Sequence, residues 1–299
     1  MARKRPRGIL PIFFASLGCA LTGQREHLPT SEEYPETVVR RTSFLAGDDL
    51  GWRISALSTP RDTPAPWKIV VVTGAPSWAE YWSPVMAALP PDREMLVIDR
   101  PGFAHSEPHH CVPKISTQAR ALLPALDAAP GQRVLLVGQS YGAAIATLMA
   151  AKRPDQVAGL VLLSGFFGKS GPTARALIDW GRRVVGLIPR DLRHAVLEAA
   201  GQSTQLNPVF KLMNRFPFLI TFIHGDRDDF APIEVARAIA DTTFVPSRFI
   251  EVQGGDHFLN DAPPEQLIAC LEAAISPAWE LREVRSMQPA SAPALSLAS

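Results

Sequence analysis

Three residue types that can combine into a proton-relaying nucleophile occur along this chain in a fixed order. They are Ser140, then a carboxylate cluster of Asp226, Asp228 and Asp229, then His257. A serine hydroxyl is a weak nucleophile by itself. It attacks a carbonyl carbon when an imidazole takes its proton and a carboxylate orients that imidazole. Ser140 closes the aliphatic run VLLVGQSYG (134–142), whose last five residues fit G-x-S-x-G. That pattern places a serine on a sharp turn when a strand precedes it and a helix follows. Both flanks are present, RVLLVGQ before and the small-residue stretch GAAIATLMAAK after. Gly138 and Gly142 remove side chains where such a turn would crowd, and the helix N-terminus aims N–H groups at any negative charge developing nearby.

His257 stands in VQGGDHFLND, a loop between the last strand-like run and the last helix-like run. The acid must come from another strand end. HGDRDDFAP (224–232) offers three aspartates, whereas LVLLSG (160–165) runs on into Phe166 and Phe167 with no carboxylate. The chain order serine, aspartate, histidine differs from the orders of chymotrypsin and subtilisin and suits an α/β sheet.

The elements that would position these residues follow from hydrophobic patterning. TVVRRTSFLA (37–46) and WRISAL (52–57) flank GDDLG and predict a hairpin. Six short aliphatic runs come next: KIVVVTG, EMLVIDR, RVLLVGQ, LVLLSG, FLITFIHG and SRFIEVQG. Continuous apolar strands are buried on both faces, which predicts a parallel sheet covered by helices. Helical stretches alternate with them at 116–129, 140–152, 232–241 and 264–275. The expectation is an α/β fold with a mostly parallel eight-stranded sheet whose start is antiparallel. Residues 169–216 contain no strand run, only helix-like stretches such as ARALIDWGRRVVGLI and LRHAVLEAAG. They predict a small helical cap dividing the core into 37–168 and 217–278. Ligands in such sheets bind at the carboxyl ends of the strands, where Ser140 is placed.

Over residues 37–278 the chain resembles the α/β-hydrolase fold family, with GQSYG, GDRDDFAP, GGDHFL and DRPGFAHS (99–106) in the family's order. The segment GDRDDFAP is similar to G-x-x-D-x-x-x-P, which implies Asp228 as the acid. In DRPGFAHS, Ala104 replaces the second glycine of D-x-x-G-x-G-x-S. The resemblance implies an oxyanion hole from the Tyr141 backbone N–H and a second amide after the third strand. TGAPSW (73–78) has threonine where the family usually has histidine, and Ala75 is the implied donor. A serine at the elbow argues against dehalogenase or epoxide-hydrolase chemistry. The implied activity is hydrolysis of a small, fairly hydrophobic ester or lactone. Amide, thioester or C–C bond hydrolysis, acyl transfer and a non-catalytic binding module are the competing readings. No metal or organic cofactor is required, and three histidines in one polar loop (His105, His109, His110) do not make a metal site. Asp99 and Arg100 are read as loop braces. Trp180, Phe210 and Phe216 could line an acyl pocket or simply pack onto the core.

Composition bounds the rest. The 299 residues are 46% hydrophobic and 20% charged, with a net charge of +1, which gives no case for a nucleic-acid partner. The basic character sits at the N-terminus, where Arg3, Lys4, Arg5 and Arg7 precede an apolar stretch from Ile9 to Leu17. That stretch is too short to span a bilayer and suits a signal peptide over 1–18. It resembles a lipoprotein signal with Cys19 as the lipidated residue, although Ser16 stands where leucine is usual. Cleavage directed by Gly18 and Ala20 and a cytoplasmic extension are the alternatives. Membrane contact is expected only through that anchor; residues 19–36 are read as a linker and 279–299 as a disordered tail. Cys111 and Cys270 are expected as buried free thiols rather than a disulfide.

Overall fold

The computed structural model describes residues 27–28, 35–201 and 203–276. The candidate signal peptide with Cys19, and the tail, lie outside the described residues. Strands β2 (Val39–Leu45) and β3 (Arg53–Ser58) form the expected hairpin, with Arg40 opposite Ser58 and Leu45 opposite Arg53. Its turn takes left-handed backbone at Asp48, Asp49 and Gly51, residue types that tolerate it. A two-residue strand β1 (His27–Leu28), within the stretch read as linker, pairs antiparallel with β2.

Six parallel strands follow: β4 (Trp67–Val72), β5 (Arg93–Ile98), β6 (Arg133–Gln139), β7 (Gly159–Leu163), β8 (Leu219–Gly225) and β9 (Ser247–Val252). The order across the sheet is β1-β2-β3-β5-β4-β6-β7-β8-β9, so the eight expected strands carry β1 as a short addition at one edge. The aliphatic runs divide strictly between the two faces. Val70, Val72, Leu136, Leu160 and Leu162 join one buried cluster, and Ile69, Val71, Leu135, Val137 and Val161 join the other. This is the period-2 alternation of a pleated strand with both faces covered.

The first face is covered by α2 (Ile115–Leu122) and α3 (Gly142–Lys152), the second by α1 (Ser83–Ala87) and α8 (Pro264–Ile275). Between β7 and β8 run α4 (Pro172–Arg183), α5 (Arg190–Gly201) and α6 (Ser203–Lys211). Helix α7 (Ile233–Asp241) links β8 to β9. Among the described residues no helix is long and apolar enough to cross a membrane. Cys111 and Cys270 are free thiols, each pushed up to about 11 by burial.

Candidate active site

Ser140 follows directly on β6 and precedes α3, and its φ is +50°. A non-glycine residue in that region is strained, typically by about 1–3 kcal/mol, and persists only where its surroundings enforce it. The surroundings are explicit here. The Ser140 N–H donates to the Leu163 carbonyl at 2.9 Å, and the Ser140 carbonyl accepts from Ala143 and Phe166 at 3.1 and 3.0 Å. The flanking glycines let backbones meet. A Cβ on Gly142 would stand 2.2 Å from the Val72 carbonyl oxygen, and one on Gly138 would stand 2.6 Å from Ala143 Cα. The elbow therefore needs glycine for close approach between strand and helix.

The loop after β9 brings His257 over the strand ends. Its Nε2 lies 3.0 Å from Ser140 Oγ, and its Nδ1 lies 2.8 Å from Asp228 Oδ2. A carboxylate only accepts, so Nδ1 carries the proton and Nε2 is left as the acceptor facing the serine. Of the three candidate acids, Asp228 is the one that reaches His257. Its other oxygen accepts the N–H groups of Phe230 and Ala231 at 2.9 and 2.8 Å. Burial alone would raise the Asp228 carboxyl. His257, His224 and the Ala231 N–H outweigh it and hold the carboxyl far below the usual carboxylate range. Asp229 instead accepts from the Thr173 hydroxyl at 2.7 Å.

Sequence reasoning missed His224, whose Nε2 lies 3.1 Å from Asp228 Oδ2. The signal was a histidine four residues before the acid at the buried end of β8. Gln139 was missed as well. It accepts from Trp82 Nε1 at 2.9 Å and donates to Asn260 at 2.7 Å, tying the elbow to the loop that carries His257. Aromatic rings line the imidazole, with Phe230 stacked at 5.1 Å and Phe258 edge-on at 5.2 Å.

The TGAPSW loop rests on Ser140, since a Cβ on Gly74 would stand 3.0 Å from Ser140 Cβ. Thr73 donates to the Ile98 carbonyl at 2.8 Å and contacts Ser77, so it braces the loop from within. Neither the Ala75 nor the Tyr141 N–H has a protein acceptor among the described residues. Asp99 and Arg100 are fully buried braces, with Asp99 accepting from the Ala79 N–H at 2.8 Å and from Arg41 at 2.7 Å. Phe210 and Phe216 are buried in the core cluster beneath α3, while Trp180 is 45% exposed. A depression of about 320 Å³ lies between the loop after β7 and helices α4 and α5, and Ser140, Asp228 and His257 are not among its lining residues. Phe166, Lys169, Arg175 and Arg182 are among its lining residues.

Residues 68–214 match the model of a family described by the alpha/beta hydrolase fold. A Klebsiella pneumoniae protein named as a candidate carbamate hydrolase, RutD, is 33% identical over 38% of this chain and 45% of its own length. A 2-hydroxy-6-oxononadienedioate/2-hydroxy-6-oxononatrienedioate hydrolase of Paraburkholderia phymatum is 34% identical over 33% of this chain and 34% of its own. The chain thus matches less than half the length of these curated relatives. A solved esterase of Thermogutta terrifontis superposes with a TM-score of 0.61 at 19% identity, covering 79% of this chain and 98% of that one. The parallel sheet, the strand-end serine and these matches agree, and the chain is a member of the alpha/beta hydrolase fold family.

Proposed function

We propose that this protein is a serine hydrolase that cleaves a small, fairly hydrophobic ester or lactone through an acyl-enzyme. The reading is carried by the unbroken relay from Asp228 through His257 to Ser140, at 2.8 and 3.0 Å. His257 Nε2 takes the hydroxyl proton as Ser140 Oγ bonds to the carbonyl carbon, and the C=O π electrons move onto the carbonyl oxygen. Asp228, held ionised, keeps the Nδ1–H tautomer and balances the imidazolium. Collapse of the tetrahedral adduct returns the electron pair to the carbonyl and breaks the bond to the leaving oxygen, which takes the proton from His257. Water then adds to the acyl group with His257 again as base, and the acid leaves as Ser140 regains its proton. The Ala75 and Tyr141 amides, free of protein acceptors among the described residues, serve the oxyanion in both halves. The apolar surroundings of His257 support a hydrophobic acyl or alkyl group near the bond cleaved.

The test pairs a fluorophosphonate label with short-chain p-nitrophenyl esters and a lactone panel. Wild type is expected to label and turn over, and Ser140→Ala to lose labelling and about 10⁴-fold or more in kcat. Absence of both labelling and turnover in wild type sinks the enzyme reading and leaves a binding module. Labelling that survives in Ser140→Ala moves the nucleophile elsewhere. The relatives named for a carbamate and for a dienedioate extend the panel to those bonds, which the same relay can serve.

A further inference from the structure

Arg100 is completely buried, and its guanidinium spends its donors on two different targets. On one side Nε donates to the carbonyls of Thr73 and Gly74 at 2.9 and 3.2 Å, and Nη2 donates to Gly74 again at 2.8 Å. On the other side Nη2 and Nη1 fork onto Glu198 at 2.9 and 3.1 Å, and Nη1 also reaches Gln118 at 2.7 Å. Gln118 donates in turn to Glu198 at 2.6 Å and to the Val112 carbonyl at 2.7 Å. The guanidinium carbon also sits 4.7 Å from the centre of the Tyr141 ring.

The bond between Gly74 and Ala75 is trans, because the cis bonds among the described residues are Ala75–Pro76 and Glu107–Pro108. In a trans peptide the C=O and N–H point in opposite directions. Anchoring the Gly74 carbonyl on Arg100 therefore turns the Ala75 N–H away from the guanidinium. The loop that carries this amide lies against Ser140. Reversing the peptide would set an N–H against a buried cation and leave guanidinium donors unpaired, which is costly in the interior. Both residues that supply oxyanion donors thus touch Arg100, one through its preceding carbonyl and one through its ring.

We propose that Arg100, locked by Glu198 and Gln118, is the positioning residue of the oxyanion hole. Glu198 belongs to α5, so the seating of that helix is a condition for the hole to be formed. The proposal rests on the serine hydrolase reading and adds a residue that never touches substrate.

The test uses the full chain with Arg100→Lys, which keeps charge but loses the fork, and Glu198→Gln, which keeps shape but loses charge. Activity is expressed per active site titrated with fluorophosphonate. Losing one oxyanion donor costs about 10²–10³ in kcat, so R100K is expected to fall about 10²-fold and E198Q about 10-fold, with KM little changed. Phenylboronic acid, which forms a tetrahedral adduct on the serine, is expected to weaken in step with the loss in kcat/KM. The acid limb of the pH profile is expected to stay where it is, because neither residue touches the triad. A merely structural brace predicts fewer titratable sites, each with wild-type kcat and boronate affinity, and that result overturns the proposal. A shifted acid limb overturns it too. If R100K does not fold, E198Q decides by the same readouts. Wild type that fails to label removes the hydrolase reading and this inference together; wild type that labels beside an R100K of equal boronate affinity removes the inference alone.

Discussion

The candidate active site is held between two regions built on different physics. Below it, the strand ends that carry Ser140 and Asp228 grow out of a sheet whose central residues are wholly buried aliphatics, such as Val137, Leu162 and Ile223. Above it, α5 exposes Leu197 and fastens to the 99–106 loop through polar side chains on one face. Asp191 accepts from Trp78 Nε1 and the Ala104 N–H at 2.6 and 3.0 Å, and Arg190 donates to the Ala104 carbonyl at 2.6 Å. His194 Nδ1 bonds the Gly102 carbonyl at 2.7 Å, and Glu198 meets Arg100. Positions 190, 191, 194 and 198 share one side of a helix. Apolar burial is non-directional and tolerates small shifts, whereas hydrogen bonds between buried groups fix register. The lower region therefore supplies stability, and the upper region supplies register between α5 and the 99–106 loop.

The sharpest way to break this contrast is to cut equal-sized holes in the two regions. Leu162→Ala, in the middle of β7, is expected to cost about 2–5 kcal/mol of global stability through lost burial and a residual cavity. Urea unfolding checks it, and kcat per folded molecule should hold. Asp191→Ala is expected to cost less, about 1–3 kcal/mol, because it leaves the Trp78 and Ala104 donors without their acceptor. Its effect should be local. Hydrogen exchange should quicken in 99–106 and 190–201 while the β4–β8 amides keep their protection. Uniform loss of protection in Asp191→Ala would make α5 part of the same cooperative unit as the sheet, and the contrast would fall.

The same contrast explains what was legible in the sequence. Strand patterning, the glycines around Ser140 and the relay order are local or topological signals, and the structure brings Ser140, Asp228 and His257 together. The polar fastening of α5 has no local signature. Glu198 sits in LRHAVLEAAG, where a glutamate ordinarily faces solvent, and its burial is decided by Arg100, 98 residues away in sequence. Thr73 shows the converse. Its departure from the family's usual histidine is visible, yet the sequence does not show that the loop is held by the Thr73 hydroxyl from within and by backbone carbonyls on Arg100. His224 hid for a third reason. A histidine inside an apolar strand reads as core, and only the tertiary turn after β8 folds Asp228 back onto it.

The smallest expected effect concerns pH and belongs to the upper region alone. Burial lowers the His194 imidazole below its usual range, helped by Arg190 and Arg193 and opposed by the Gly102 carbonyl and Asp191. The undocked helix exposes the ring near its ordinary value of about 6.5. Between the lowered value and about 6.5 the undocked state binds more protons, so the stability of docking rises with pH through that window. Docking is then at full strength above about 6.5 and weakens as the solution is acidified below it. Hydrogen exchange of 190–201, corrected for intrinsic rates, should be faster at about pH 5.5 than at about pH 7, while β6 and β7 stay level. His194→Asn keeps a donor near the Nδ1 position and cannot titrate, so its exchange in 190–201 should lose most of that slope. His105 is also lowered, by burial and Arg41, and adds a slope of the same sign. An unchanged slope in His194→Asn would remove His194 as the sensitive fastening and leave the upper region held by its carboxylates alone.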